Sequence, residues 1–201
     1  GANNTAVGAS ALTANTTGTQ NTALGSTALT ANTTGGSNVA LGDQALAANT
    51  TASYNIAIGT AAMYANTTGA QNVAVGYAAL DANTTAANNV AIGYNAMTTS
   101  TTAGNSVAIG WEALKDCTTG SENIAIGRSA AEDITTGIRN IAIGGYALNT
   151  NTTSNYNVAV GYTALQVTTA ANNTAVGHEA LKANTTAGHN TAIGNGSMLV
   201  N

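Results

Sequence analysis

One five-residue phrase recurs at a fixed period along the whole chain. Its most typical form is Asn-Val-Ala-Ile-Gly, as in residues 89–93, and it occurs twelve times in 201 residues. Ten of the eleven intervals between its terminal glycines are seventeen residues, and one is sixteen. Such a period is typical of a solenoid, in which each coil buries its apolar face against its neighbours. We therefore predict one repeat domain over residues 1–201, with phrases ending at Gly8, Gly25, Gly42, Gly59, Gly76, Gly93, Gly110, Gly127, Gly144, Gly161, Gly177 and Gly194.

Comparison of the copies indicates what each column of the repeat does. Ala stands two residues before the Gly in every copy, which predicts a site too tight for a larger side chain. The residue directly before the Gly is always Val, Leu or Ile, so we expect that column to be core. The invariant Gly predicts a positive φ or a close backbone approach. Strand alternation places Val90 and Ile92 on one face and Ala91 on the other, so both faces are apolar. The predicted fold is all-β, a parallel β-solenoid (β-roll) of about twelve 17-residue coils.

The second half of each repeat reads x-x-Ala-Leu-x-Ala-Asn-Thr-Thr, as in residues 77–85. Its Ala-Leu pair fits either a second short strand or one helical turn, because three apolar residues are too few for periodicity to decide. The following Asn-Thr-Thr indicates a turn, where Asn and Thr side chains bond local backbone groups. Seven such triplets also match the glycosylation pattern, but their regular recurrence favours the turn. The single deletion, between Leu165 and Thr168, predicts a loop there.

Composition excludes several function classes. The net charge is −4 with four basic residues, which leaves no electrostatic footprint for nucleic acid or an anionic membrane. No apolar run approaches the ~20 residues that span a bilayer. There is no signal peptide, and Gly1 opens inside a repeat, so we expect a processed product or a segment of something longer. The single cysteine excludes an internal disulfide.

Strands that are apolar on both faces predict association between chains. A single-chain roll needs only its inner face apolar, and each coil offers few large aliphatic side chains. We therefore expect a homo-oligomer, a homotrimer. Thr replaces Val at the first strand position in the two copies at each end, at Thr5, Thr22, Thr174 and Thr191. A buried hydroxyl must be hydrogen-bonded, so we expect these end coils to be wetter or looser than the middle of the rod.

The phrase Asn-Ser-Val-Ala-Ile-Gly at residues 105–110, with its eleven variants, resembles the head repeat of trimeric autotransporter adhesins, and similar repeats occur in phage tail fibres. The familiar head repeat is a few residues shorter. The Ala-Leu-x-Ala-Asn-Thr-Thr half looks more like repeats of bacterial surface and fibre proteins that end in a self-cleaving chaperone domain. The resemblance implies a left-handed β-roll, three copies of which form a secreted, cell-surface or virion fibre that binds cells or glycans.

The residue just after each Gly varies freely, as expected of a column that faces outward. Residues seventeen apart stack at roughly 4.8 Å in a parallel roll, so Tyr77, Tyr94 and Trp111 are predicted to form a ladder ending on Arg128. This ladder suits stacking on sugar rings or a cation–π contact, and we take it as the candidate ligand-binding site. The alternative is a self-stacking ladder that only stabilises the surface.

Eight of the twelve charged residues lie between Glu112 and Arg139. Glu122 and Arg139 are one period apart, as are Lys115 and Glu132, which predicts ion pairs between adjacent coils. Two further carboxylates one period apart stack in the same way, Asp116 and Asp133. Like charges there cost stability unless a cation intervenes.

The sequence offers no catalytic constellation. Cys117 lacks a nearby base, since His178 lies four coils away, and it is interpreted as a substitution for the turn Asn. With His189 as the only other histidine, a zinc site lacks a third ligand. We expect no enzyme, no cofactor and no metal. Besides a fibre segment of an adhesin or tail fibre, two alternatives remain: a structural filament without ligand, and an ice-binding solenoid with stacked Thr columns.

Overall fold

The chain folds into one twelve-stranded parallel sheet, as the repeat predicts. A computed structural model describes residues 1–199. Every strand has three residues, and each pairs in register with the next in sequence order. No helix long and apolar enough to cross a membrane occurs among the described residues. The strands are β1 (Thr5–Val7), β2 (Thr22–Leu24), β3 (Val39–Leu41), β4 (Ile56–Ile58), β5 (Val73–Val75), β6 (Val90–Ile92), β7 (Val107–Ile109), β8 (Ile124–Ile126), β9 (Ile141–Ile143), β10 (Val158–Val160), β11 (Thr174–Val176) and β12 (Thr191–Ile193).

The central Ala of each strand points into the roll. Ala91 pairs with Ala108 of the next coil, and both side chains are 0% exposed. Facing them inside the roll is a column of large side chains from the second half of each repeat, including Leu80 and Met97, which are also fully buried. The interior is therefore narrow, and the prediction that the Ala site is too tight for a larger residue agrees with this packing.

The expectation that the residue before each Gly lies in the core is wrong. Ile92 and Ile126 are each 37% exposed, and Leu41 is 36% exposed. Because the central Ala points inward, alternation turns both flanking aliphatic residues to the outside. The outer face of the sheet therefore carries two aliphatic columns whose members are exposed or half-buried, and we call it the aliphatic face.

The Thr residues at the ends of the rod lie on this outer face as well. Thr5, Thr22 and Thr191 are exposed, and Thr174 is half-buried. Their hydroxyl groups meet solvent, so the argument for wetter end coils from a buried hydroxyl does not apply. What these residues do instead is confine the purely aliphatic part of the outer face to β3–β10.

The Ala-Leu half of the repeat is neither a strand nor a helical turn. Ala78 and Leu80 have φ of 49° and 55°, in the left-handed region, and the same two positions repeat along the stack. The Ala78 N–H donates to Thr60 of the preceding coil, and the Leu80 N–H donates to Ala96 of the following one. Left-handed residues bend the chain sharply while keeping these donors aimed along the rod. Each costs roughly 1–2 kcal/mol, which burial and hydrogen bonds between coils must offset.

Both reasons expected for the invariant Gly are present. Gly76 has a φ of 135°, which L side chains rarely adopt. A Cβ built on it would lie 2.3 Å from the carbonyl oxygen of Gly93 in the next coil. The glycine therefore makes the corner and also lets successive coils approach closely.

Two columns rich in buried asparagine follow the rod. The column beside the strands departs from Asn only at Ser106, and the column at the turn departs from it at Ser100, Cys117, Ile134 and Thr168. In the column beside the strands, Asn89 Oδ1 accepts from the Ser106 N–H at 2.9 Å, and Asn89 Nδ2 donates to Ala103 O at 2.8 Å. In the column at the Asn-Thr-Thr turn, Asn49 Nδ2 donates to Asn32 Oδ1 at 2.9 Å. Asn89 thus satisfies two buried backbone groups of the next coil, and Asn49 also donates within its own turn, to Ala52 O at 3.1 Å.

The missing residue of the sixteen-residue interval lies later than expected. We expected it between Leu165 and Thr168, but Thr168 occupies the buried Asn column and is 1% exposed. The Thr169 N–H pairs with Thr185 O at 2.8 Å, in the register of the first Thr of other turns. The Ala170 carbonyl, nine residues after Gly161, accepts a hydrogen bond from the Asn157 side chain. In the preceding coil the equivalent acceptor is Ser154 O, ten residues after Gly144. The deletion therefore removes the second Thr of the turn, whose equivalents are exposed.

Replacing Ala91 or Ala108 with Leu is expected to destabilise the stack. The interior is filled at these positions, and overpacking costs about 1–3 kcal/mol. Thermal unfolding followed by circular dichroism should show a lower midpoint. Ala82→Leu is the matched control, because Ala82 is half-buried in a column that holds Val167. An unchanged midpoint for Ala91→Leu would contradict the narrow interior.

Replacing Asn89 with Ala is expected to cost several kcal/mol of unfolding free energy. The substitution leaves the Ser106 N–H and the Ala103 carbonyl without their partner, and a buried unsatisfied group costs ~1–3 kcal/mol. Urea unfolding measures the loss. Thr85→Ala, at an exposed position of the same coil, is the control and should change little.

Candidate functional site

The predicted aromatic residues do stack on the outside of the roll. The Tyr77 and Tyr94 ring centroids are 5.3 Å apart, with planes 13° from parallel. Tyr94 and Trp111 are 6.0 Å apart but meet edge to face, with an interplanar angle of 82°. All three side chains are about half exposed. The one-period spacing therefore brings them together as the sequence predicts.

Arg128 lies at the end of the predicted ladder and connects it to a second set of aromatic residues. Its guanidinium carbon is 4.9 Å from the Trp111 ring centroid and 5.5 Å from that of Tyr146. Tyr146 meets Tyr162 edge to face at 6.0 Å, and Tyr162 stacks on His178 at 5.7 Å. We use the name aromatic ladder for the whole set: Tyr77, Tyr94, Trp111, Arg128, Tyr146, Tyr162 and His178.

The sequence reasoning missed the second half of the ladder because Gly145 stands in the outward column after Arg128. Tyr162 and His178 occupy that same column, so continuing past the gap would have found them. Tyr146 is one residue further along and supplies the missing ring. A Cβ on Gly145 would lie 3.3 Å from Tyr162 Cδ2, so the glycine leaves room for the Tyr162 ring.

An open depression of about 420 Å³ is lined by Tyr94 and Trp111. It lies at the step where the stacked arrangement changes to edge to face. Apolar concave surfaces with aromatic walls are typical of ligand sites. The depression therefore lies within the predicted ladder, at its Tyr94–Trp111 step.

The charged residues form the predicted pairs between adjacent coils. Arg139 Nε is 2.8 Å from Glu122 Oε2, and Lys115 Nζ is 3.3 Å from Glu132 Oε1. The hydrogen bond from Arg139 holds the pKa of Glu122 below its usual range. Arg139 Nη1 also donates to the hydroxyl of Tyr156, one coil further on. These contacts explain most of the charge cluster without a ligand.

Asp116 and Asp133 are neighbours in adjacent coils, as their spacing predicts. Burial raises the pKa of Asp133, and the carboxylates of Glu132 and Asp116 raise it further. Within residues 1–199, no group of three His, Cys, Asp or Glu side chains is placed to hold a metal ion. The pair therefore lacks a third protein ligand of these types.

Cys117 occupies the buried Asn column of the turn, where the sequence placed it. Its side chain is 0% exposed, and its Sγ donates to Gly120 O at 3.1 Å. The Asn of other turns donates to the same carbonyl position, as Asn66 does to Gly69. Burial raises the pKa of the Cys117 thiol to about 12.

The Asn-Thr-Thr turns use their side chains inside the stack. The acceptor Asn of the glycosylation pattern is buried in most copies, including Asn49 and Asn66. The first Thr donates to the next coil, as Thr67 Oγ1 does to Thr84 O at 2.9 Å. The second Thr of the turn is exposed wherever it is present, as Thr68 is, and the first is exposed as well at Thr16, Thr152, Thr169 and Thr185. Over the rest of the rod a single Thr column is exposed instead of a wide Thr array.

No family model, no curated protein and no solved structure matches this chain. What the molecule does must therefore be argued from the aliphatic face and the aromatic ladder.

We expect Cys117 to resist thiol reagents in the folded protein at pH 8. The reactive species is the thiolate, and a pKa of about 12 keeps the thiol protonated at that pH. The rate of reaction with a chromogenic disulfide should rise by orders of magnitude in denaturant. Rapid labelling of the folded protein would contradict the buried placement.

Proposed function

We propose that this chain is a structural segment of an extracellular fibre, of an adhesin or a phage tail fibre, that assembles as a homotrimer and binds cell or glycan surfaces through its side. The observation that carries the proposal is the aliphatic face. It follows the sheet for about 53 Å, taking ~4.8 Å per coil, and its central part carries only Val, Ile and Leu.

An exposed apolar strip of this length marks an interaction surface, since soluble monomers rarely expose one. Its natural occupant is another copy of the same chain, because the face repeats with the same period in every copy. The columns of one rod then match those of another along their whole length. Three copies around a common axis let every face contact two neighbours.

The polar ends of this face support the same arrangement. Thr occupies the first strand position only in β1, β2, β11 and β12, where an interface between copies would reach its rim. Interfaces are typically apolar at the centre and polar at the edge.

The aromatic ladder supports lateral binding by the fibre. Its side chains are about half exposed although they stack on one another, so the ladder leaves aromatic surface to solvent. A filament that only needed rigidity would not require a column of rings beyond the hydrogen bonds between coils. The ice-binding alternative is less favoured, because the first Thr hydroxyls are used between coils.

The native assembly is expected to have three times the 19.6 kDa chain mass in light scattering. Ile92→Lys combined with Ile109→Lys should produce monomers, because burying unpaired charges in the interface is costly. The matched control is Thr85→Lys with Thr102→Lys, at exposed turn positions of the same two coils. A stable, folded monomer of the unchanged chain at micromolar concentration would refute the trimer.

The double variant Trp111→Ala, Tyr94→Ala is expected to keep its assembly and lose retention on glycan-coated or cell surfaces. Each stacking or cation–π contact contributes about 0.5–2 kcal/mol, and three chains multiply the effect. The control is Tyr54→Ala with Tyr64→Ala, two exposed tyrosines outside the ladder. Unchanged retention would show that the ladder is structural, and loss of the trimer would place it in the interface.

A further inference from the structure

The aromatic ladder is a strip that follows the rod, because its members lie in successive coils. It passes through seven consecutive coils, from Tyr77 to His178, which is a length of about 29 Å at ~4.8 Å per coil. Tyr77, Trp111 and Tyr162 are 50–52% exposed. Such a strip offers repeated contacts in one line, whereas a site for one small ligand needs only a single step of it.

The ring orientations divide the ladder into two kinds of step. At the parallel steps, Tyr77 with Tyr94 and Tyr162 with His178, each ring covers a face of the next ring. At the two edge-to-face steps, one ring of each pair turns by 82° or 88° out of that stacking direction. A turned ring leaves face area that its neighbour does not cover. The first of these steps holds the depression beside Trp111.

Aromatic faces of this kind suit the apolar face of a pyranose ring, whose C–H groups pack against the electron-rich ring face. The depression is lined by the rings of Tyr94 and Trp111, so the contact that it offers to such a sugar face is aromatic.

The two edge-to-face steps are too far apart for one sugar. Trp111 and Tyr162 lie three coils apart, about 14 Å along the rod at ~4.8 Å per coil. A ligand that contacts both must therefore be an oligomer, and it must extend along the rod because the two steps lie in different coils of the same strip.

The electrostatics favour a neutral ligand. Arg128, the only Lys or Arg of the ladder, already lies between the rings of Trp111 and Tyr146. Glu112 and Glu179 occupy the adjacent column, and each is paired with a lysine, Lys115 or Lys182, so neither lysine is free for an anion. An anionic polysaccharide or single-stranded nucleic acid would therefore find only Arg128 as a cation of the ladder, on a chain whose net charge is −4.

We propose that the aromatic ladder binds an extended, neutral β-linked polysaccharide that lies parallel to the rod and contacts both edge-to-face steps. This inference rests on the proposed lateral binding and adds the ligand class, its orientation and a second contact point around Tyr146 and Tyr162. Binding should therefore depend on the length of the sugar chain as well as on its chemistry.

Titration calorimetry with β-1,4-linked glucose and N-acetylglucosamine oligomers of one to six units tests the proposal on the assembled protein. In at least one series we expect no measurable binding of the monosaccharide and at least a tenfold rise in affinity between the disaccharide and the hexasaccharide. The curved α-1,4-linked glucose oligomers are the matched ligand control and should bind at least tenfold more weakly.

Trp111→Ala and Tyr162→Ala should each lower hexasaccharide affinity about tenfold, while Tyr54→Ala should not. Affinity independent of chain length, full binding by Tyr162→Ala, no binding in any β-linked series, or tighter binding of oligothymidylate would each overturn the proposal. Light scattering of the same samples tests the homotrimer separately from sugar binding by the ladder. A monomer with length-dependent binding overturns the trimer alone. A trimer that binds no β-linked series, but whose surface retention is lost in the Trp111→Ala, Tyr94→Ala variant, overturns the ligand class and leaves lateral binding by the ladder in place.

Discussion

The hydrogen bond that a buried Asn side-chain oxygen accepts from the backbone N–H of the next coil is the contact on which the rest of the rod depends. The backbone N–H groups of Asn38, Asn55 and Asn72 each donate at 3.0 Å to the Oδ1 of the Asn one period earlier. The bond fixes the register of successive coils, because a shift by one residue would leave both partners buried and unsatisfied. Where Ser106 replaces Asn, its hydroxyl still accepts from Asn123.

In-register stacking has two consequences for the surface. The inner side of the sheet must accept the same small side chain in every coil, which leaves the larger aliphatic residues outside. Equally, any side chain that points outward meets its equivalent one coil away. The aliphatic face, the ion pair of Glu122 with Arg139, and the aromatic ladder all arise because equivalent residues of adjacent coils lie side by side.

The sequence predicted those features that depend only on the period. The number of coils, the parallel register, the tight Ala column, the Gly corner and the partners in the charged coils follow from residues seventeen apart, so no knowledge of the coil cross-section was needed. It also predicted Tyr77, Tyr94, Trp111 and Arg128 as one ladder. The contacts among these residues match, while a role in binding stays a prediction.

Features that depend on the path within one coil could not be predicted. Alternation placed Ile92 opposite Ala91, but it could not say which of the two faces inward. The left-handed conformations of Ala78 and Leu80 leave no trace in composition, because these residue types normally avoid them. For the same reason, counting residues could not locate the deletion, which only the hydrogen-bond register around Thr169 reveals.

Those left-handed residues also affect how the chain folds. Three non-glycine positions in a typical coil adopt positive φ, as Ala78, Leu80 and Asn88 do. A single free repeat has no neighbouring coil whose contacts could stabilise that conformation. The first coils must therefore form together as a costly nucleus, after which each new coil adds to an existing template. Growth of the rod would then resemble the elongation of a filament within one chain, with the exposed strand at either end serving as the growing tip.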